Sequence, residues 1–279
     1  MASLTVDWID LSWRIGRRVP RRVADIFARL TAPVASLFPL PKVDAWAESV
    51  TAATGTPPTR RQRRRLIEHW IRNNLWSLSL ADWGPNEILK VARPTPGSVE
   101  RMRDSLSGPG LILALPHMGS WDFAGTWCAV LDMPVVSVAE RLGAGLYERF
   151  SEARAQMGMK IYPVDQPDVL RSLANDVKDG RLICLLADRD LSSHGIQVPW
   201  PGTAETISVP AGPALLARRT GADLRVATLW FDGKHLRIHI SDRVEGDSPR
   251  SLMAGVVTKF AAGVRRHPES WLMLRKAFR

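Results

Sequence analysis

From residue 111 onward the chain alternates short apolar runs with longer mixed segments. The runs are LILAL (111–115), PVVSVAE (134–140), MKIYPV (159–164), RLICLLAD (181–188), DLRVATLWF (223–231) and HLRIHI (235–240). Each has the length of a strand, and a nearly unbroken apolar run fits a strand buried on both faces. The segments between the first four runs, together with SVPAGPALLARRTGA and PRSLMAGVVTKFAAGVRRH, have helical length and composition. Strand and helix in alternation predict an α/β fold, with a mainly parallel central sheet flanked by helices. The last two runs, separated by DGK, predict an antiparallel hairpin at one edge.

The first 110 residues follow a different period. Residues 7–38 read as helical, with Trp8, Ile9, Leu11 and Ile15 near one face, and Pro33, Pro39 and Pro41 are expected to end the helix. A second helix is expected from near Thr59, where TRRQRRRLIEHWIRNNLWSLSL sets Leu66, Trp70 and Leu75 at helical spacing behind five arginines. The turn-rich stretch ARPTPGSVERMRDSLSGPG closes this part near residue 110. The expected organisation is a helical, basic region over 1–110 packed on an α/β core over 111–279, the two forming one structural domain. With 279 residues and 45% apolar content the chain can bury a sizeable core.

Charge sharpens the reading of the front part. Residues 1–110 carry 17 Lys and Arg against 10 Asp and Glu, whereas residues 111–279 carry 21 against 18, and six of the eleven tryptophans lie in the first region. Arginine interleaved with tryptophan suits an anionic membrane surface, since indole favours the interfacial depth and guanidinium pairs with phosphate. Nucleic acid is not the expected partner, because no finger, helix-turn-helix or RNA-binding signature accompanies the charge. No run approaches the roughly 18 apolar residues needed to span a bilayer, and the first residues lack the apolar block of a signal peptide. A cytoplasmic protein is therefore expected. Cys128 and Cys184 lie inside apolar runs and read as small core residues.

In a parallel sheet, reactive groups collect at the carboxyl ends of the strands. That rule selects His117 after the first run, Glu140 and Arg141 after the second, and Asp188, Arg189 and Asp190 after the fourth. His117 is the expected general base, since imidazole titrates near neutrality. Asp122, past a bend that starts a helix at about Ser120, or Asp188, from another strand, would orient its ring; the sequence leaves both open. Arg189 is an expected substrate contact. HMGSWD lacks the second glycine of a nucleophile elbow, so Ser120 reads as a helix cap. LGAGLYERF lacks the features of a nucleotide-binding loop. His117, Asp122 and Asp188 lack the paired spacing of a hydrolytic metal site, so no metal is expected.

PHMGSWD also carries the H-x-x-x-x-D signature of glycerolipid-type acyltransferases. With VAERLGAGLYERFSEARAQMGM, RLICLLADRDLSSHGIQV, VPAGPALLARRTGA and HPESWLML, in that order, the chain from about residue 110 resembles the lipid A lauroyl/myristoyl acyltransferase superfamily, and within it the phosphatidylinositol mannoside acyltransferases. The resemblance implies transfer of a palmitoyl-like group to a mannose hydroxyl of a phosphatidylinositol mannoside by a peripheral enzyme at the cytoplasmic face of the plasma membrane. Acyl-CoA would be the co-substrate, with no further cofactor. His117 matches the family's base and Asp122 the motif acid. Asp188 stands where the nearest relatives have a glutamate that orients the histidine. Glu140 and Arg154 match a pair near the acyl-donor carbonyl. His194 and Arg219 fall where relatives contact acyl-CoA, with different side chains, and VPWPGTAET departs from the family pattern. FAGTWCAVL and PALLA are expected to line an acyl groove. The alternatives are another glycolipid or a lysophospholipid as acceptor, or a non-catalytic protein that binds anionic lipid through the basic front part.

Overall fold

The computed structural model describes residues 15–141, 143, 146–190, 192 and 194–278. The expected helix over 7–38 begins outside them. Within them it is interrupted before Pro20, whose ring disfavours helical backbone in the preceding residue, and it resumes as α1 (Arg21–Ala35). Pro33 lies inside α1 instead of ending it; without an N–H it cannot bond the Arg29 carbonyl, and the helix stops two residues later, at Ala35. Pro41 likewise opens a helix that the sequence reading missed, α2 (Pro41–Thr54), because a proline in the first turn has no intrahelical bond to lose. Helix α3 (Arg60–Ser79) starts as expected at Thr59, which forms a reciprocal cap with Gln62. Helices α4 (Pro85–Val91) and α5 (Ser98–Ser107) flank the short strand β1 (Ala92–Pro94).

Four of the expected strands follow nearly as read: β2 (Leu111–Leu115), β3 (Val135–Ala139), β4 (Met159–Pro163) and β5 (Leu182–Leu186). Helices α6 (Trp121–Val130), α7 (Leu146–Gln156) and α8 (Val169–Lys178) connect them. The altered VPWPGTAET segment contributes to an unforeseen hairpin, β6 (Ile196–Pro199) with β7 (Thr206–Val209). Helix α9 (Gly212–Thr220) leads into β8 (Asp223–Asp232) and β9 (His235–Ile240), and α10 (Pro249–Arg266) follows.

The main sheet has the order β1-β9-β8-β2-β5-β3-β4, parallel except between β8 and β9. The β8–β9 hairpin is therefore not the edge: β1, from the front part of the chain, pairs in parallel with β9 and takes that position. Strand β2 is buried along its whole length and divides the two apolar layers. Leu111, Leu113 and Leu115 pack with Trp76 of α3 and Phe123 and Trp127 of α6, whereas Ile112 and Ala114 pack with Leu173 of α8, Leu216 of α9 and Phe260 of α10. After β2 the chain leaves toward the α6 layer and after β5 toward the opposite one. Adjacent parallel strands whose connections diverge in this way leave a crevice beyond their carboxyl ends. There the register pairs Leu115 with Leu186.

Candidate active site

That register decides which groups meet. His117 lies two residues beyond Leu115 and Asp188 two beyond Leu186, so the two side chains leave neighbouring strands at the same height. His117 Nδ1 stands 2.6 Å from Asp188 Oδ1, and the His117 amide donates to Oδ2 at 2.8 Å. A carboxylate on such a contact accepts, so Nδ1 carries the proton and the Nε2 lone pair is left free. The His117 side chain keeps 23% of its surface exposed, and its ring and that of Trp121 stand nearly perpendicular with centroids 5.4 Å apart.

Asp188 itself is 2% exposed. The Trp271 indole donates to its Oδ2 at 2.8 Å, a partner that the sequence reading missed. Burial alone would raise the Asp188 carboxyl, but electrostatic attraction to the His117 ring and the bonds from that ring, the indole and the His117 amide outweigh it and hold the group below its ordinary range. The segment around Trp271 reaches the site by pairing with the 117–119 loop. Met118 and Trp271 form an antiparallel bridge, Leu272 N donates to His117 O at 2.7 Å, and Gly119 N donates to Ser270 O at 2.9 Å. Gly119 has φ +61°, and a side chain there would lie 2.8 Å from Leu229 Cβ and 3.0 Å from its carbonyl carbon. Only glycine accommodates both constraints.

Asp122 does not hold the histidine ring. It accepts from Arg154 Nε at 2.8 Å and from Ser77 Oγ at 2.9 Å. The Asp122 carboxylate, and against it the cost of burial, sets the guanidinium of Arg154, with the net effect of raising it further. The reason is direction: Asp122 sits in the first turn of α6, toward α3 and α7, whereas Asp188 arrives on the strand beside His117. Ser120 occupies the N-cap position of α6 but makes no capping bond, and its buried hydroxyl has no partner among the described residues.

Glu140 and Arg189 also come together, Arg189 Nη2 lying 3.4 Å from Glu140 Oε2. His194 is exposed in the loop after β5, its backbone amide donating to Ser192 Oγ. Arg219 is not brought to this edge. It lies in the last turn of α9, just before β8 begins level with Leu111, at the opposite end of the strands. The expected groove-lining helix splits. Phe123, Trp127 and Cys128 fill the core, and Thr126, Ala129 and Val130 face a groove shared with Leu80, Trp83 and Met157. Among the described residues no helix is long and apolar enough to cross a membrane.

The family model for bacterial lipid A biosynthesis acyltransferases matches residues 91–279. A phosphatidylinositol mannoside acyltransferase from Mycolicibacterium smegmatis is 38% identical over 175 residues, which cover 61% of this chain and 57% of that protein. One of the same name from Mycobacterium tuberculosis is 33% identical over 186 residues, covering 64% and 58%. The matched region thus spans little more than half the length of these relatives. With the family match running from β1 to the end of the chain, the chain belongs to the bacterial lipid A biosynthesis acyltransferase family.

Proposed function

We propose that this chain is an O-acyltransferase that moves a long, palmitoyl-like group from acyl-CoA to a mannose hydroxyl of a phosphatidylinositol mannoside, with His117 as general base. The observation that carries the reading is the His117–Asp188 pair, whose free Nε2 is aimed away from the carboxylate and whose tautomer is fixed for accepting a proton. His117 Nε2 takes the hydroxyl proton as the sugar oxygen attacks the thioester carbon. The carbonyl electrons move onto oxygen, the tetrahedral intermediate collapses, and CoA leaves as thiolate, which His117 can reprotonate. Asp188 stabilises the imidazolium formed on the way, as the carboxylate does in a serine-protease triad, but with the substrate's hydroxyl in place of an enzyme serine. Arg154, fixed by Asp122, supplies positive charge for the oxyanion.

The acceptor is a lipid, and the chain has a surface suited to reaching it. Helix α1 packs on α3 through Ala24, Ala28 and Ala32, while its opposite face exposes Val23, Ile26, Phe27, Leu30 and Val34. Leu37 and Phe38 continue that face at 81% and 64% exposed, with Arg22 and Arg29 alongside. A helix with small residues inward, large apolar residues outward and flanking arginines fits an in-plane position at an anionic bilayer, peripheral and at the cytoplasmic face of the plasma membrane.

The test is transfer of labelled palmitoyl from palmitoyl-CoA to phosphatidylinositol mannosides, wild type against His117→Ala. Loss of several orders of magnitude in the variant, with circular dichroism unchanged, is expected; equal turnover would end the general-base assignment.

A further inference from the structure

A buried aromatic donor holds the acid of the His117–Asp188 pair. Trp271 is fully buried, and its indole Nε1 donates to Asp188 Oδ2 at 2.8 Å. A buried indole finds a hydrogen-bond partner as a matter of course; Trp271 differs in how closely its ring is held. Its backbone bridges Met118, while the amides of Leu272 and Gly119 tie the peptide units on either side of it to the 117–119 loop. Its ring stacks on Trp200 at a centroid distance of 6.0 Å and an angle of 21°, and Phe278 closes on the two rings at 6.5 and 5.2 Å. Trp200 is anchored in turn, its indole donating to Ala53 O at 3.0 Å, and Phe278 bridges Ile207 of β7. The N–H of Trp271 is therefore aimed at one place.

Asp188 needs such an anchor, because the terminal torsion of a carboxylate is broad unless both oxygens are engaged. His117 gives Oδ1 a ring contact at 2.6 Å and Oδ2 a backbone amide at 2.8 Å, but both come from the residue whose ring is to be oriented. Among the described residues the indole is the one donor on Asp188 that lies outside the pair. It also disperses the charge on Oδ2, which makes the carboxylate a weaker base and leaves the shared proton on Nδ1 when the ring becomes imidazolium.

We infer that Trp271 is a positioning residue: its indole fixes the rotation of the Asp188 carboxylate and thereby sets the tautomer and the basicity of His117. The consequence for catalysis rests on the proposed acyl transfer, in which His117 is the base; the coupling of indole, carboxylate and ring does not.

Trp271→Phe keeps a buried ring and removes the donor. The charge on Oδ2 is then less dispersed, so the carboxylate holds the imidazolium more tightly. The midpoint at which the His117 ring takes up a proton, followed by NMR across pH, should move to higher pH, by about three- to tenfold in proton affinity. Trp200→Phe removes an indole donor from the same aromatic cluster without touching Asp188 and should leave that midpoint in place. The charged and titratable groups on the elements that meet the pair are Asp122 with Arg154, Arg189 with Glu140, Glu269 with Arg65, His69 on Glu269 O, and Arg275. All are the same in the three proteins, so the difference reports the indole. The acid limb of kcat/KM for transfer from palmitoyl-CoA should move with the midpoint, with kcat lowered and KM nearly unchanged. A second measurement needs only the wild-type protein: the Trp271 indole N–H signal should shift with the same midpoint as the His117 ring, while that of Trp200 stays flat. A flat Trp271 signal, an unmoved or lowered His117 midpoint in Trp271→Phe, or an equal movement in Trp200→Phe overturns the inference. A raised midpoint in a protein that transfers no palmitoyl group ends the acyl-transfer reading and leaves the coupling in place.

Discussion

Asp188→Asn exchanges one oxygen for an amide nitrogen, and the surrounding donors dictate which one. Oδ2 accepts from two fixed donors, the His117 amide and the Trp271 indole, each at 2.8 Å. The asparagine oxygen must take that position, because an NH2 there would face two N–H groups in a site only 2% exposed. The NH2 then faces His117 Nδ1 at about the present separation of 2.6 Å. Facing a donor, Nδ1 must accept, so the ring proton moves to Nε2 and the base is lost at the atom that needs it. In the serine-protease triad the same exchange lowers turnover about 10⁴-fold with geometry intact. A similar loss here corresponds to about 5.4 kcal/mol of transition-state stabilisation. Single-turnover transfer from palmitoyl-CoA, followed from pH 6 to 9 with circular dichroism as the folding control, measures it. Activity within tenfold of wild type would show that the tautomer does not control the reaction and would refute the mechanism.

Other consequences follow from groups outside the pair. Arg154→Met leaves Asp122 buried with Ser77 as its remaining side-chain partner among the described residues, and urea unfolding should show a loss of about 3–5 kcal/mol; Asp122→Asn/Arg154→Met should recover more than half of it. His69 is buried on α3, its Nδ1 donating to Glu269 O at 3.0 Å, and burial, followed by the charge of Arg72, lowers its pKa from 6.5 to about 3. The unfolded chain therefore binds the proton more readily, so this contribution is complete above pH 6.5 and is lost as pH falls toward about 3, by about 1.4 kcal/mol per pH unit; His69→Gln should flatten the slope by that amount in denaturation curves at stepped pH. Phe27→Ser/Leu30→Ser removes two outward side chains of α1 that touch no core, and flotation with anionic vesicles should show binding weakened at least tenfold at an unchanged unfolding midpoint.

Much of this protein follows from local pattern. Strand β2 matches its apolar run at both ends, since five consecutive apolar residues have no other stable place than between two layers. The Thr59 start of α3 is as local, because a cap and its reciprocal glutamine lie within one turn. His117 at the end of a buried run marked the crevice for the same reason. The strands β1, β6 and β7 carry no such mark: three- and four-residue strands acquire their identity from the partner they pair with.

What the chain alone left open was which carboxylate serves His117. Asp122 is five residues away and Asp188 seventy-one, yet the distant one makes the contact, because parallel register aligns residues by height across the sheet and not by separation along the chain. Trp271 reaches the same carboxylate from near the other end of the sequence, through pairing with a loop that only Gly119 allows so close to β8. Local periodicity determined the layers, the histidine and the edge on which chemistry occurs. The partners of that histidine were decided by long-range strand pairing, whose geometry is a property of the assembled sheet.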